Sequence, residues 1–260
     1  LFRSAGLWYA NVGYGRAEIA DAAAAQMRKL HAYSHYGDVS SRPTTDLAER
    51  ISGIAPMPDA AVFFTSGGGE SIETVVKLVR RYWSLLDQPE RTVIISRERA
   101  YHGVGMGGIS VGGIAANRKM FAPLMIPGVD HLPHTYSPEH MRYSRGQPGW
   151  GAHLAEELER IVALHGAETI ATVIVEPMAG STGVLIPPVG YLEKLREICS
   201  KHGIPFNTVQ NPRFTCMEDV HLWMIDQHLG RRSVSDFQRG VLALRKKDIL
   251  TSRTQAVQAG

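Results

Sequence analysis

The sequence predicts an α/β fold, in which a mainly parallel sheet is covered by helices on both faces and followed by a helical tail. Short apolar runs alternate with segments of helical spacing between residues 61 and 204. The composition, 44% apolar and 20% charged, is ordinary for a globular protein. No run approaches the roughly 18 apolar residues of a membrane span. These three observations predict a globular α/β chain rather than a membrane or fibrous one.

Residues 1–60 are predicted to form a mainly helical segment. Apolar side chains recur on one helical face from Glu18 to Leu30. A second helix is predicted from Thr45 to Ile54, with Thr45 and either Asp46 or Glu49 as its capping pair. The first residues resemble neither a signal peptide nor an initiator start, so we expect the chain to be a fragment at this end.

Residues 61–204 are predicted to form the α/β domain. Ala61–Phe64 is interpreted as a buried strand, and a helix begins near Glu70 with one apolar face. Pro127–Gly149 is interpreted as long loops. The other predicted elements are strand 92–95, a glycine-rich loop at 103–113, a helix around 154–162, strand 170–175 and helix 191–201. The helix at 70 is predicted to bury Ile72, Val75, Val76, Val79 and Trp83.

The segment Ser66-Gly67-Gly68-Gly69 lies between that first strand and its helix. Glycines expose backbone N–H groups, and a helix start adds unpaired donors and partial positive charge, which together suit a phosphate. A tight turn that needs positive φ explains the glycines equally well. The motif alone therefore leaves both interpretations open.

Three segments are predicted to meet where strands of the sheet end. They are the glycine turn, Tyr101-His102-Gly103 and Glu176-Pro177, each placed after a predicted strand. Ligands of such sheets bind beyond the carboxyl ends of the strands. A phosphate cup, an aromatic ring and a carboxylate together indicate a pocket for a phosphorylated planar cofactor.

Five stretches of the sequence carry a resemblance to a known family. In order, they read AGLWYANVGYGRAEIADA, SSRPTTDLAERI, FFTSGGGESIETVVKLVR, AYHGVGMGGISVGG and VIVEPMAGSTGV. The chain resembles, over about residues 5–204, the class III pyridoxal-phosphate aminotransferases of fold type I. It is most similar to their branch that acts on ω-amino acids and amines with pyruvate. The resemblance implies the large domain of fold type I, pyridoxal 5'-phosphate as cofactor, amine and keto acid substrates, and a homodimer.

The resemblance also implies site residues. It assigns the cofactor phosphate to Ser66, Gly67, Gly68 and Gly69, although many relatives have Ser at the position of Gly69. Tyr101 matches the residue that stacks on the pyridine ring, with His102 beside it, and Glu176 matches a carboxylate near the cofactor. Trp8 and Tyr14 match a stretch that lines the substrate entrance. The alternative interpretations are that Tyr101, Trp8 and Tyr14 are packed aromatic residues, that His102 is solvated and that Glu176 is a surface residue.

The family pattern breaks after Ile204. The family would continue with a strand ending in an Asp that pairs with the pyridinium nitrogen, and later with the Schiff-base Lys. Neither is found, and neither Lys201 nor Lys246 matches that Lys by motif or order. We therefore expect a truncated domain without catalytic residues, and a chain that does not transaminate.

Residues 205–260 are predicted to form an unrelated helical tail. Apolar spacing predicts two short helices split near Gly230, with Ser233 or Ser235 capping the second. Residues 220–249 are similar to a helical segment of phage and plasmid proteins with ParB-like domains. Two joined coding pieces or a divergent enzyme that lost its C-terminal half would both explain the break. From Lys201 onward nine bases face five acids, so the alternative function is a nucleic-acid or protein interaction module, with nucleic acid less favoured.

Two further patterns in the sequence have a bearing on function, a glycine motif and the cysteines. Gly103–Gly108 fits the dinucleotide fingerprint, but it does not directly follow a strand and no acidic strand end comes after it, so we disfavour it. Cys199 and Cys216 form neither a disulfide framework nor a metal-type pair, which favours a reducing cytoplasmic setting. Cys199 shares a helical face with apolar residues and is predicted to be a buried, inert thiol.

Overall fold

The computed structural model describes residues 10, 12–35, 37–55, 60–144, 146–205, 222 and 236–259, with side chains of the last helix described from 240 to 252. The chain divides into a terminal unit, Leu1–Val62 with Val209–Gly260, and a sheet unit, Phe63–Thr208. No described helix is both long enough and apolar enough to cross a membrane.

The helices and strands, in chain order, are α1 (Ala17–Lys29), α2 (Arg42–Ile54), α3 (Gly68–Leu85), β1 (Val93–Arg97), α4 (Met106–Val111), α5 (Ala115–Phe121), β2 (Val129–Leu132), α6 (Pro138–Met141), α7 (Glu157–His165), β3 (Ile170–Val173), α8 (Tyr191–Lys201) and α9 (Asp236–Ala259). Short 3-10 turns occupy Ala122–Leu124, Ala152–Glu156 and Ala167–Thr169.

The sheet is parallel, in the order β2-β1-β3, and is covered on both faces as predicted. Side chains of β1 alternate between the two faces. Val93 and Ile95 pack with α7 and α8 in a cluster that includes Leu158 and Leu195. Ile94 packs on the other face with Val76 of α3. All five residues of β1 are buried, which makes it the central strand of the sheet unit.

Helix α3 is tied to the sheet by Trp83. Its indole Nε1–H donates to the carbonyl of Ala171 in β3 at 2.8 Å. Val76 and Trp83 are buried as predicted, but Val75 is 39% exposed. Helix α8 has the predicted bounds, and Cys199 is buried on it. Burial raises the pKa of the Cys199 thiol to about 11, so the predicted inert thiol is confirmed.

The predicted strand Ala61–Phe64 is wrong. Residues 60–65 have no regular structure, and Phe63 and Phe64 are exposed. A strand needs a neighbour for its backbone groups, and no described strand pairs with this segment. Apolar and β-branched residues alone therefore do not make it a strand.

The loop prediction for Pro127–Gly149 is also wrong in part. This segment contains β2, which pairs with β1 from Val129 to Leu132, and the short helix α6. Asp130 and His131 make β2 look polar in sequence, and they are tolerated because β2 is an edge strand, only partly buried. Periodicity alone cannot identify such a short, polar edge strand.

One helix start differs from prediction. Helix α2 begins at Arg42, before Thr45, with Pro43 in its first turn and no side-chain cap from Ser41. In the part of the tail that the structure describes, α9 spans Asp236–Ala259, where the second tail helix is predicted, and Leu222 is also helical. The predicted helix before Gly230 and the caps at Ser233 and Ser235 lie outside the described residues, apart from Leu222.

Candidate functional site

The glycine turn is organised by the carboxylate of Glu70. Both the backbone N–H of Ser66 (2.8 Å) and the Ser66 hydroxyl donate to Oε2 of Glu70. These bonds, the hydroxyl first, lower the pKa of the Glu70 carboxyl. The N–H of Ser71 and its hydroxyl donate to the carbonyl of Gly67. The turn is therefore fixed from both of its ends.

Helix α3 begins at Gly68, so Gly68 and Gly69 occupy its first turn. The first N–H groups of a helix have no acceptor within the helix. No described residue provides an acceptor for the N–H of Gly68 or Gly69. A Cβ built at Gly67 or Gly68 meets nothing within 4 Å, so the turn is open on this side. Two donors at a helix start are thus available to an anion.

Glu176 joins the loops that follow β1 and β3. Its Oε1 accepts the N–H of Tyr101 at 2.7 Å, and its Oε2 accepts the N–H of Gly180 at 3.1 Å. Hydrogen bonds to an ionised carboxylate are stronger than neutral ones. Glu176 is therefore a structural bridge, and it places Tyr101, whose side chain is 41% exposed, at the carboxyl end of the sheet.

A buried cation supports this bridge. Arg97, at the end of β1, is 2% exposed, and its Nη2 donates to the carbonyl of Glu176 at 2.8 Å. Its guanidinium lies over the ring of Tyr191, 5.7 Å from the centroid. Burial raises the pKa of Tyr191, and the charge of Arg97 acts in the opposite direction. Arg97 thus holds the backbone of Glu176 while the Glu176 side chain holds Tyr101.

The glycine turn and the Tyr101 loop touch directly through two glycines. Gly103 has a φ of +114°, and a Cβ there would lie 2.8 Å from the Cα of Gly69. No side chain fits at Gly103 without moving backbone. The sequence-predicted residues of the glycine turn, the Tyr101 loop and Glu176 are therefore brought together in the sheet unit.

The remaining glycines of this loop pack on α3. A Cβ at Gly105 or Gly107 would collide with the carboxylate of Glu73, which accepts the N–H of Gly108 at 3.1 Å. At Gly108 a Cβ would lie 2.8 Å from the carbonyl oxygen of His102, so close packing within the fold accounts for these glycines without a dinucleotide. Glu73 was missed in the sequence, where it is one more charged residue of an amphipathic helix.

His102 is buried rather than solvated. It is 8% exposed, and its Nε2 lies 3.3 Å from the hydroxyl of Ser96. Burial lowers its pKa, with Glu176 opposing and Arg97 reinforcing the shift. The imidazole is therefore neutral near pH 7. The alternative of a solvated His is wrong, whereas its role toward a cofactor stays a prediction.

The role of Trp8 and Tyr14 at the substrate entrance stays a prediction. Trp8 lies outside the described residues, and Tyr14 belongs to the terminal unit, where it is 58% exposed. Lys201 donates to Oε1 of Glu159 at 2.9 Å, and His202 lies 2.7 Å from Oε2. These two bonds lower the pKa of Glu159. Lys201 is thus held at the surface by an ion pair.

A cavity of about 750 Å³ lies elsewhere at the carboxyl end of the sheet. None of the residues predicted to bind the cofactor lines it. Its basic side chains come from segments that sequence reasoning treated as loop or as no element. Those residues are too far apart in sequence to form a motif, and only the fold collects them.

The family model for class III aminotransferases matches residues 3–207. The chain belongs to the class III aminotransferases. It is 49% identical over 201 residues to an omega-aminotransferase of Caulobacter vibrioides, covering 77% of this chain and 45% of that protein. It is 50% identical over 201 residues to a beta-alanine–pyruvate aminotransferase of Pseudomonas aeruginosa, covering 76% and 44%.

A solved structure supports the same fold. The amine transaminase of an uncultivated Pseudomonas species, in its PLP-bound form, superposes with a TM-score of 0.67 and 36% identity, covering 78% of this aminotransferase chain and 46% of that one. The chain thus spans less than half the length of the relatives it matches. Residues 208–260 lie outside the family match, so the ParB-like similarity of the tail stays a prediction.

Proposed function

We propose that this aminotransferase chain binds pyridoxal 5'-phosphate at the cluster formed by the glycine turn, Tyr101 and Glu176. The parent activity is transfer of an amino group from an amine or ω-amino acid to a keto acid such as pyruvate. The observation that carries the proposal is that two N–H donors without acceptors lie at the start of α3, in contact with the Tyr101 loop.

The described residues fit the phosphate and the ring of this cofactor. The N–H groups of Gly68 and Gly69 would hold the phosphate, where the partial positive charge of α3 favours an anion. The exposed ring of Tyr101 would stack on the pyridine, and Glu176 and Arg97 would fix its position. When bound, the cofactor supplies an electron sink for the substrate's amino carbon.

The chain's own residues do not supply the proton transfer. We propose that the chain as given does not transaminate, because no Lys or pyridinium Asp of the family pattern is found in it. Loss of a general base alone removes about 10²–10⁴ in rate. Binding groups such as the glycine turn stabilise the bound ground state and the transition state equally, so they do not replace the missing general base. A homodimer and a cytoplasmic setting stay predictions, as does an interaction role for the tail.

Substitutions at Gly68 can distinguish an effect on phosphate binding from an effect on folding. Gly68 is the first residue of α3 and follows the extended Gly67, so Gly68→Pro removes one N–H where Pro suits a helix. Gly68→Ala keeps that N–H and meets nothing within 4 Å. A hydrogen bond to a charged group contributes about 1.5–3 kcal/mol, so we expect Gly68→Pro to weaken pyridoxal phosphate binding at least about tenfold.

The measurement is a fluorescence titration of the full chain and both variants, with circular dichroism to compare their folds. Equal affinities for the Pro and Ala variants would remove Gly68 from the phosphate site. Borohydride reduction, mass mapping and an amine-to-pyruvate assay test the second part. A single stoichiometrically labelled Lys with turnover near that of a full-length relative would show that the tail supplies an active site.

A further inference from the structure

Half of the residues that line the 750 Å³ cavity are Arg, Lys or His. Arg99 follows β1, His134 follows β2, and Arg118 and Lys119 lie on α5. Glu98 is the acid among the described lining residues, and its Oε2 already faces the N–H of His134 at 3.4 Å. Three permanent cations against one engaged carboxylate give the cavity a positive potential.

Two of the three cations are held by contacts within the fold, and they come from two different walls of the cavity, α5 and the loop after β1. Nη1 of Arg118 donates to the carbonyls of Ser110 (2.6 Å) and Gly112 (3.2 Å), which fixes the guanidinium plane. The backbone of Arg99 donates to the carbonyl of Gly113 at 2.8 Å and accepts the hydroxyl of Thr182 at 2.9 Å, and its guanidinium lies 5.3 Å from the centre of the Tyr136 ring. Positive groups that are held before a ligand arrives lose little entropy on binding.

An unsatisfied group lies in the wall. Nδ1 of His134 is buried and has no partner among the described residues. Leaving such a group unsatisfied is costly. The volume also falls within the range of pockets that hold small organic molecules, and the carboxyl ends of parallel strands are their usual location.

We propose that this cavity binds a small dicarboxylate. Its two carboxylates, one at each end, match cations on two walls better than a compact phosphate does. One carboxylate pairs with Arg118 and Lys119 of α5, and the other pairs with Arg99 after β1. The site does not depend on the proposed cofactor site, because the two share no residue.

The test is isothermal titration calorimetry of the full 260-residue chain with glutarate, its uncharged diamide and inorganic phosphate at low ionic strength. Lys119→Gln removes one lining cation from an exposed position with no described partner. Lys194→Gln is the matched control, since Lys194 lies on α8 in an exposed pair with Glu197. We expect glutarate to bind with one site per chain, and Lys119→Gln to weaken it about twofold to fivefold.

The same experiment can overturn the proposal. Glutarate binding should also weaken as salt rises, because the Debye length falls from about 30 Å at 0.01 M to about 8 Å at 0.15 M. Equal binding of the diamide, or equal losses in Lys119→Gln and Lys194→Gln, would show that the lining charges do not select the ligand. Tighter binding of phosphate than of glutarate would reject the two-wall arrangement.

Discussion

Two neighbouring regions at the carboxyl end of β1 are held in opposite ways. On the side of β3, the carboxylate of Glu176 accepts backbone N–H groups from two loops. On the side of β2, the guanidinium of Arg118 donates to two backbone carbonyls. In both regions a single charged side chain satisfies backbone polar groups that have no partner in a strand or helix, the loop N–H groups at Glu176 and the carbonyls at the end of α4 at Arg118.

The two regions differ in the chemical groups that they leave exposed to a ligand. The carboxylate of Glu176 is occupied by hydrogen bonds within the fold, and the region presents N–H donors and the Tyr101 ring. Only Nη1 of Arg118 makes these hydrogen bonds, so its positive charge contributes to the cavity together with those of Arg99 and Lys119. One sheet end thus carries two separate regions suited to anions, and variants can separate them.

The largest expected effect is at Gly103. Gly103→Ala places a Cβ 2.8 Å from the Cα of Gly69, and residue 103 has a φ of +114°. The backbone must therefore move or remain in a strained conformation. We expect the free energy of unfolding to fall by about 1–3 kcal/mol, with weaker pyridoxal phosphate binding. Gly67→Ala is the control, because its Cβ meets nothing within 4 Å and its φ is extended. Urea unfolding checks both, and equal stabilities would mean that the two segments do not touch as described.

The next effect separates the two regions. Glu176→Ala removes the acceptor of two N–H groups and should weaken pyridoxal phosphate binding by about tenfold or more, with glutarate binding unchanged. Arg118→Met keeps most of the side-chain volume, removes the donors to Ser110 and Gly112, and should have the reverse pattern. The two titrations on both variants check this. If either variant weakens both ligands equally, the regions are one site.

The smallest effect is a pH dependence from His102. Burial lowers its pKa below the unfolded value of about 6.5, so the unfolded state binds the proton more readily. This contribution to stability is complete above about pH 6.5 and is lost as pH falls toward the folded pKa. The groups acting on His102 are Glu176, Arg97 and His131, and the pKa of His131 is lowered in the same direction.

His102→Asn should therefore flatten the decline of unfolding free energy as the pH falls below about 6.5, measured by urea unfolding at each pH. His31→Asn serves as the control because His31 is exposed. An unchanged slope in His102→Asn would show that His102 is not the buried neutral group described here.

The sequence by itself determined the parts of this protein that depend on local pattern. The bounds of α8, the central strand β1 and the covering of the sheet on both faces follow from apolar periodicity, which reports which side of an element is buried. The glycine turn, Tyr101 and Glu176 were also identified as neighbours, because parallel strands bring their carboxyl ends to one edge.

Only the tertiary structure decided the rest, because those features depend on residues far apart in the chain. Phe63 and Phe64 look like a strand but have no described neighbour to pair with, whereas the polar segment Val129–Leu132 becomes β2 because β1 lies beside it. Nothing in the local sequence marks Arg97 as buried, yet it is 2% exposed and donates to the carbonyl of Glu176. Whether a polar group is exposed, paired or orphaned is fixed by contacts across the fold, and no local pattern in the sequence contains that information.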